Sequence, residues 1–269
     1  LPVGGYTAWG VKNSSLPPTP PAKSVYSNVV LATAALDSRS MFYGLAKGAA
    51  SDVSGVVALL AASTAITNTS TGRPIMFAFL QAESFGYLGS EQLARSLLED
   101  GACVSAGGSE SSSEVKVCPR MADIGDVLDV GDFGASPLSA ASPLYLHYDS
   151  VGEVQSHAGS LMAERLSSQL NSLTPPQGSI FPEVTSTNSR AGLPPSSLHT
   201  LIRRSGNRNM SAVSMRGFGP SGFTNAFYHS HLDGRNNVDD AAVCAAATSV
   251  ARALYLLATA TPGDPVATA

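Results

Sequence analysis

The stretch Phe77-Ala-Phe-Leu-Gln-Ala-Glu-Ser-Phe-Gly-Tyr-Leu-Gly-Ser90 decides how this chain is read. Arg73-Pro74 precedes an apolar run, and a short apolar run bounded by breakers predicts a buried strand. Beyond it come Glu83, Gly86 and Gly89, then a helix-like segment over 91–99. The order is strand, turn, helix, with an acid at the carboxyl end of the strand. In open α/β sheets, ligands sit at that edge. A carboxylate there serves as a general base or a metal ligand, or it caps the following helix, or it binds a cationic group. The stretch alone leaves these roles open.

Working outward, residues 25–36 are apolar and small and end in Asp37-Ser-Arg-Ser40, which predicts another buried strand with an acid at its end. Residues 53–67 carry Val53, Val56, Val57, Leu60, Ala61 and Thr64 at helical spacing. Further strands are expected over 127–133, 143–148 and 212–217, and helices over 156–173, 196–204 and 238–259. The helix over 156–173 sets Leu161, Met162, Leu166 and Leu170 on one face. The alternation predicts a three-layer α/β sandwich, a mixed, mostly parallel sheet between helices. The strand before Glu83, apolar on both faces, is expected in the middle of that sheet. Residues 1–269 read as a single domain, with 1–23 as an extended lead-in and 104–120 and 174–195 as long loops.

The bulk composition narrows the function classes. With 269 residues, 43% hydrophobic and 13% charged, the chain can bury a sizeable core. A net charge of −4 disfavours nucleic acid, which needs a basic footprint. Residues 241–260 are the most apolar stretch, but Arg252 lies inside it, so it reads as a packed helix rather than a membrane span. The N-terminus shows no signal peptide. Cys103 and Cys118 flank a Gly/Ser-rich loop, an arrangement open to a local disulfide, and Cys244 reads as a small core residue of the last helix. Asn13, Asn68 and Asn209 each open an N-x-S/T sequon in polar, loop-like surroundings, as glycan sites would require.

Asp37, Glu83, Asp129, His229, His231 and Asp233 lie at predicted strand ends or the turns after them. Singly, each reads as a solvated or capping residue. Together they invite a metal-site reading, since two-metal hydrolases gather Asp, Glu and His from several strand ends. No Gly-x-Ser-x-Gly elbow and no phosphate-binding glycine loop occurs, which disfavours serine hydrolases and nucleotide enzymes.

Ala82-Glu-Ser-Phe-Gly-Tyr-Leu-Gly-Ser90 resembles the Glu-Glu-x-Gly-Leu-x-Gly-Ser signature of di-zinc aminopeptidases and related carboxypeptidases. Ala35-Leu-Asp37, the run 48–55, the run 127–131 and the run 229–238 resemble their other ligand segments, in the same order. Carried over, the general-base position is Glu83, and the ligand positions Asp129 and His229 persist. The other ligand positions hold Ala35, Ser51 (Asp52 is one place late) and Ser84. A catalytic zinc takes about three protein ligands, so the resemblance implies that no metal or other cofactor is held.

Leu36-Asp-Ser-Arg-Ser-Met-Phe42, the run 83–90, Leu193-Pro-Pro-Ser-Ser-Leu198 and Val250-Ala-Arg-Ala-Leu-Tyr255 resemble the nicastrin family, the glycosylated ectodomain subunits of γ-secretase. The likeness runs from about residue 6 to 257. It departs at Gly86, where that family has an acid, and at His229, which is more peptidase-like than an animal nicastrin implies. The resemblance implies a non-catalytic peptidase-like domain on the extracellular or lumenal face of secretory-pathway and plasma membranes. Its expected partners are presenilin, the other γ-secretase subunits and type I membrane-protein substrates with short ectodomains. Membrane attachment would come only through a C-terminal helix outside this chain. Glu83, with Tyr87 beside it, is the expected substrate-binding pair, while Asp37, Ser51, Ser84, Asp129 and His229 mark the former metal site. The alternatives are an active zinc aminopeptidase or carboxypeptidase, and a plain scaffold that never touches substrate.

Overall fold

Seven strands form one sheet in the order β1-β3-β2-β6-β9-β7-β8. The structure, a computed structural model, describes residues 6–12, 26–99, 104–105, 116–117, 119–134, 143–149, 157–173, 182–187, 193–206 and 210–259. In chain order its elements are β1 (Ala8–Lys12), β2 (Val29–Ala35), α1 (Ser54–Ile66), β3 (Ile75–Leu80), α2 (Leu88–Glu99), β4 (Val104–Ser105), β5 (Lys116–Val117), β6 (Ile124–Gly131), β7 (Leu144–His147), α3 (His157–Ser172), β8 (Val184–Thr187), α4 (Leu198–Ser205), β9 (Ser211–Arg216) and α5 (Asp240–Thr259). Strands β3, β2, β6 and β9 run parallel, β1 joins β3 antiparallel, and β7 joins β9 antiparallel.

The pleat sends alternate residues to opposite layers. On β2, Val30, Ala32 and Ala34 face one core with α1, α3 and α5, while Val29 and Leu31 face the other with α2 and α4. This is the expected three-layer α/β sandwich with a mixed, mostly parallel sheet.

Several expectations are corrected. Strand β3 lies next to one edge, and β6 is central. β3 is apolar on both faces because helices cover both, not because it is central. The lead-in 1–23 contains β1, which the flanking Gly and Pro residues conceal; Lys12 anchors it by donating to the Thr69 carbonyl at 2.7 Å. The loop 174–195 contains β8, four residues rich in β-branched side chains. Asn171 brackets its start, with Nδ2 donating to the Val184 carbonyl and Oδ1 accepting from the Val184 amide. Within 104–120, β4 and β5 pair antiparallel.

Helix α1 forms as its spacing predicts but presents the other face inward. Ser54, Gly55, Ala58, Leu59, Ala62 and Ile66 are buried, while Val53, Val57 and Leu60 are exposed. Small residues let α1 approach both the sheet and the alanine-rich α5. A β-carbon added at Gly55 would lie 2.7 Å from the Val130 carbonyl oxygen. Cys244 is exposed rather than core, because it falls in the α5 stripe with Thr248 and Tyr255, away from Val243, Ala246, Val250 and Leu254. Cys103, Cys118, Asn13 and Asn209 lie outside the described residues, and Asn68 is exposed in the turn after α1.

At the amino-terminal edge of the sheet, buried Arg73 and Asp126 form an ion pair at 2.5 Å whose geometry is not that of a directed hydrogen bond. Arg73 also donates to the carbonyls of Asn28 and Leu257, and its own amide donates to Ala258. It therefore ties the carbonyl end of α5 to the sheet, where a cation is favoured. Arg73→Met leaves Asp126 buried and uncompensated, so it is expected to cost about 3–5 kcal/mol. Urea unfolding of the single variant and of Arg73→Met/Asp126→Asn checks this, the double change recovering part of the loss.

Candidate functional site

Strand register sets a polar row across the sheet. Thr33 on β2, Asp129 on β6 and Ser214 on β9 are direct neighbours. They interrupt an otherwise apolar layer on the side covered by α4. Asp129 Oδ1 accepts from Thr33 Oγ1 at 2.7 Å and Ser197 Oγ at 2.8 Å. Its Oδ2 accepts from Ser196 Oγ at 2.7 Å, from Ser214 Oγ at 3.3 Å and from the Arg216 guanidinium. A carboxylate offers about four lone-pair sites, so this buried group is fully engaged by the protein. Arg216 reaches it over Gly131, where an added β-carbon would lie 2.1 Å from Arg216 Nη1.

Beside this row lies a cavity of about 300 Å3 at the carboxyl ends of the parallel strands. Its lining includes Ala35, Ser51, Ser84, Asp129 and His229, the positions at which the peptidase resemblance puts metal ligands, together with Glu83 and Tyr87. The sequence-predicted residues thus converge. Asp37 stands behind the wall: its two carboxylate oxygens accept from the amides of Glu83 at 2.7 Å and Ser84 at 3.1 Å, holding the turn. His231 stays outside, exposed, with its ring edge-on to Phe42.

Glu83 is held by a conformation few residues adopt. Ala82 has φ +66°, Gly86 +82° and Tyr87 +62°, and such left-handed backbone outside glycine concentrates at functional sites. Glu83 is 7% exposed. Its Oε1 accepts from the Ser90 amide at 2.6 Å, capping the first turn of α2, which explains why the helix begins at Leu88 rather than 91. Gly89 makes the approach possible, since a β-carbon there would lie 2.2 Å from the Gln81 carbonyl. Glu83 Oε2 is buried and has no hydrogen-bond partner among the described residues. Burial, opposed by the Ser90 bonds and reinforced by Asp129 and Asp37, pushes the Glu83 carboxyl up to about 7. Burial also raises the Tyr87 phenol, against a hydrogen bond from the Ser196 backbone.

The opposite wall belongs to the turn before α1. Asp233 accepts from the amides of Ala50 at 3.0 Å and Ser51 at 3.1 Å. Ser51 Oγ lies 2.7 Å from both Asp52 Oδ2 and Asp233 Oδ2. One hydroxyl proton serves only one of them. Burial pushes the Asp52 carboxyl up to about 7, against the hydrogen bond it accepts from Ser51. His229, with φ +56°, takes a 3.3 Å hydrogen bond on Nδ1 from Arg39 and stacks on Tyr228 at 3.8 Å. Burial and then Arg39 hold its pKa down.

Zinc does not fit this arrangement. Ala35 has no donor atom, Ser51 is bound to Asp233, Asp129 is saturated, and a guanidinium stands beside it. Among the described residues, no three His, Cys, Asp or Glu side chains gather closely enough to share a metal ion. The motifs do not single out Arg216, Asp132 or Tyr228, and the run 193–198 contains Ser196 and Ser197 without assigning them a role. One signal for Arg216 stands in the sequence: an apolar strand ending in a lone arginine needs a buried acid as partner.

Residues 28–255 match the family model described as the nicastrin large lobe. Nicastrin of Arabidopsis thaliana is 34% identical over 263 residues, covering 96% of this chain and 35% of the relative. Nicastrin of Homo sapiens is 28% identical over 246 residues, covering 88% and 30%. The chain therefore spans about a third of the length of these curated relatives. The crystal structure of the γ-secretase component nicastrin aligns with TM-score 0.68 at 18% identity, over 96% of this chain and 44% of that one. A zinc aminopeptidase from Bacillus subtilis aligns with TM-score 0.64 at 16% identity, over 97% and 52%. At such identities the solved structures speak for the aminopeptidase-like fold, and the family is shown by the large-lobe match across most of the sequence: this chain belongs to the nicastrin family.

Proposed function

We propose that this domain is the non-catalytic ectodomain lobe of a γ-secretase subunit, which receives membrane-protein substrates through their free amino termini. Presenilin and the remaining subunits are its partners in this reading, its place is the extracellular or lumenal face of the membrane, and exposed Asn68 is an acceptor for glycan. The observation that carries the reading is Glu83 Oε2, a buried carboxylate atom without a partner among the described residues, on a side chain that lines the cavity beside the Arg216–Asp129 ion pair. An α-ammonium supplies the missing donors and charge, and the pairing is stronger in this enclosed setting than on an open surface. Tyr87 and the Ser196–Ser197 segment flank the same opening. The scaffold reading uses only the other half of Glu83, its cap on α2, and leaves Oε2 without a role.

Two outcomes are expected. First, Glu83→Gln keeps the fold and weakens binding of peptides with a free amino terminus by about tenfold or more, or 1.4 kcal/mol, leaving amino-acetylated peptides unchanged. Binding to the unsubstituted protein tightens as pH rises through about 7, because only the ionised carboxylate pairs with ammonium. Below that it falls by about tenfold per pH unit, a slope absent from Glu83→Gln. The same shift makes the free domain lose stability as pH rises from the ordinary glutamate value to about 7, since the folded acid keeps its proton longer than the unfolded one. Calorimetric titration with free and acetylated peptides across pH 5.5–8.5 (approximate limits) reads both effects, and equal affinity for the two proteins sinks the recognition role. Second, the dialysed protein retains no stoichiometric zinc and releases no amino acid from aminoacyl substrates, checked by elemental analysis and a fluorogenic assay. One tightly held zinc per chain refutes this.

A further inference from the structure

The cavity is lined by more carboxyl groups than its guanidiniums and one ammonium group can match. Among the described residues, its charged lining is Asp52, Glu83, Asp129 and Asp132 against Arg39 and Arg216. His229 adds little positive charge at neutral pH, because burial and Arg39 lower its pKa. Arg216 is committed to Asp129. The acids therefore exceed the guanidiniums by two, and one α-ammonium at Glu83 leaves one unmatched.

The second excess acid is placed by the scaffold. Asp132 follows the end of β6 with φ +56°. Its amide donates to the Ser51 carbonyl at 2.9 Å and its carbonyl accepts from the Gly217 amide at 3.0 Å, so the backbone is pinned from both sides. Its Oδ1 is buried and, like Glu83 Oε2, has no hydrogen-bond partner among the described residues. Asp52 and the Tyr228 ring line the same cavity. Tyr228 is stacked between Phe223 at 3.9 Å and His229 at 3.8 Å, which fixes its ring as a rigid part of the cavity wall. Burial pushes Asp52 and Glu83 to about 7 and Asp132 well above the usual carboxylate range.

The two acids follow different strands of the sheet. β2 lies between β3 and β6, so the ends of β3 and β6 are about 10 Å apart at the usual strand spacing. Glu83 and Asp132, just beyond those ends, both line the one cavity. A volume of about 300 Å3 is at the small end for ligand pockets and suits a single terminal residue.

We propose that the cavity is a two-cation site specific for a basic first residue. Glu83 takes the α-ammonium, while Asp132, with Asp52 beside it, takes the side-chain cation of an amino-terminal lysine or arginine. This rests on the amino-terminus reading above and narrows it to a substrate class.

The test compares tripeptide amides that differ only in the first residue, lysine, arginine or the neutral isostere norleucine, together with amino-acetylated lysine, by calorimetry on the intact chain. Lysine and arginine peptides are expected to bind at least tenfold more tightly than the norleucine peptide. Asp132→Asn is expected to cut that preference below threefold while changing the norleucine affinity less than twofold, whereas Glu83→Gln weakens all three free-amine peptides. Equal affinities for lysine and norleucine peptides, both bound, overturn the two-cation site and leave the amino-terminus reading standing. No binding of any free-amine peptide overturns both. The ligand series in the unsubstituted protein decides the question even where Asp132→Asn does not fold.

Discussion

The pairing of Arg216 with Asp129 is the constraint on which the rest of the site depends. Asp129 sits in the central strand, covered by α4, where a lone carboxylate is strongly unfavourable. Arg216 offsets its charge from the neighbouring strand, and four hydroxyls also donate to its two oxygens. These contacts also fasten the segment leading into α4, because Ser196 and Ser197 both donate to Asp129 and the Ser196 backbone meets Tyr87. One ion pair thus holds the sheet row, the α4 entry and the Tyr87 side of the cavity in a single arrangement. In a zinc peptidase of this fold a metal would supply the positive charge at such a place. Here a side chain supplies it.

The backbone shows where that arrangement is under load. Ala82, Tyr87, Asp132 and His229 all take positive φ without being glycine, and all four lie on or next to the cavity. Each such conformation costs on the order of 1–3 kcal/mol and persists only when its surroundings over-determine it. Asp37 does this for the Glu83 turn, Asp233 for the Ser51 turn, and the paired backbone bonds do it for Asp132. The acids that line the cavity are therefore supported by further acids behind them, whose charges are spent on backbone amides.

Much of the scaffold is legible in the sequence because it rests on local pattern. The run ending at Leu80, the glycines at 86 and 89 and the alternating apolar segments predict strand, turn and helix, and the order of elements predicts the three layers. Convergence of Glu83, Ser51, Ser84, Asp129 and His229 is legible too, through a shared motif order. What pattern does not carry is pairing across the sheet. β8 is hidden by the polar run around it and appears only through its bonds with β7 and Asn171. The inward face of α1 is misjudged because close helix packing favours Ser54, Ala58 and Ala62 over the larger Val57 and Leu60. Asp132, and the partner of Arg216, are hidden for a related reason. Their significance lies in who faces them, and those neighbours come from strands and turns far away in the chain.

Glu83 shows how one side chain serves two ends. A carboxylate has two oxygens, and the geometry divides them: Oε1 accepts the Ser90 amide and starts α2, while Oε2 is buried without a partner among the described residues, on a side chain that lines the cavity. The structural and the recognition roles are therefore not rivals for the residue. They belong to different atoms, and the first makes the second possible. The cap fixes the carboxyl group, so Oε2 cannot swing out to water, and burial then makes it costly to leave unpaired. An amide at this position would keep an oxygen for the cap and turn an NH2 toward the cavity, preserving the helix start while removing the charge. The two roles separate at that single change because one depends on an acceptor lone pair and the other on a negative charge.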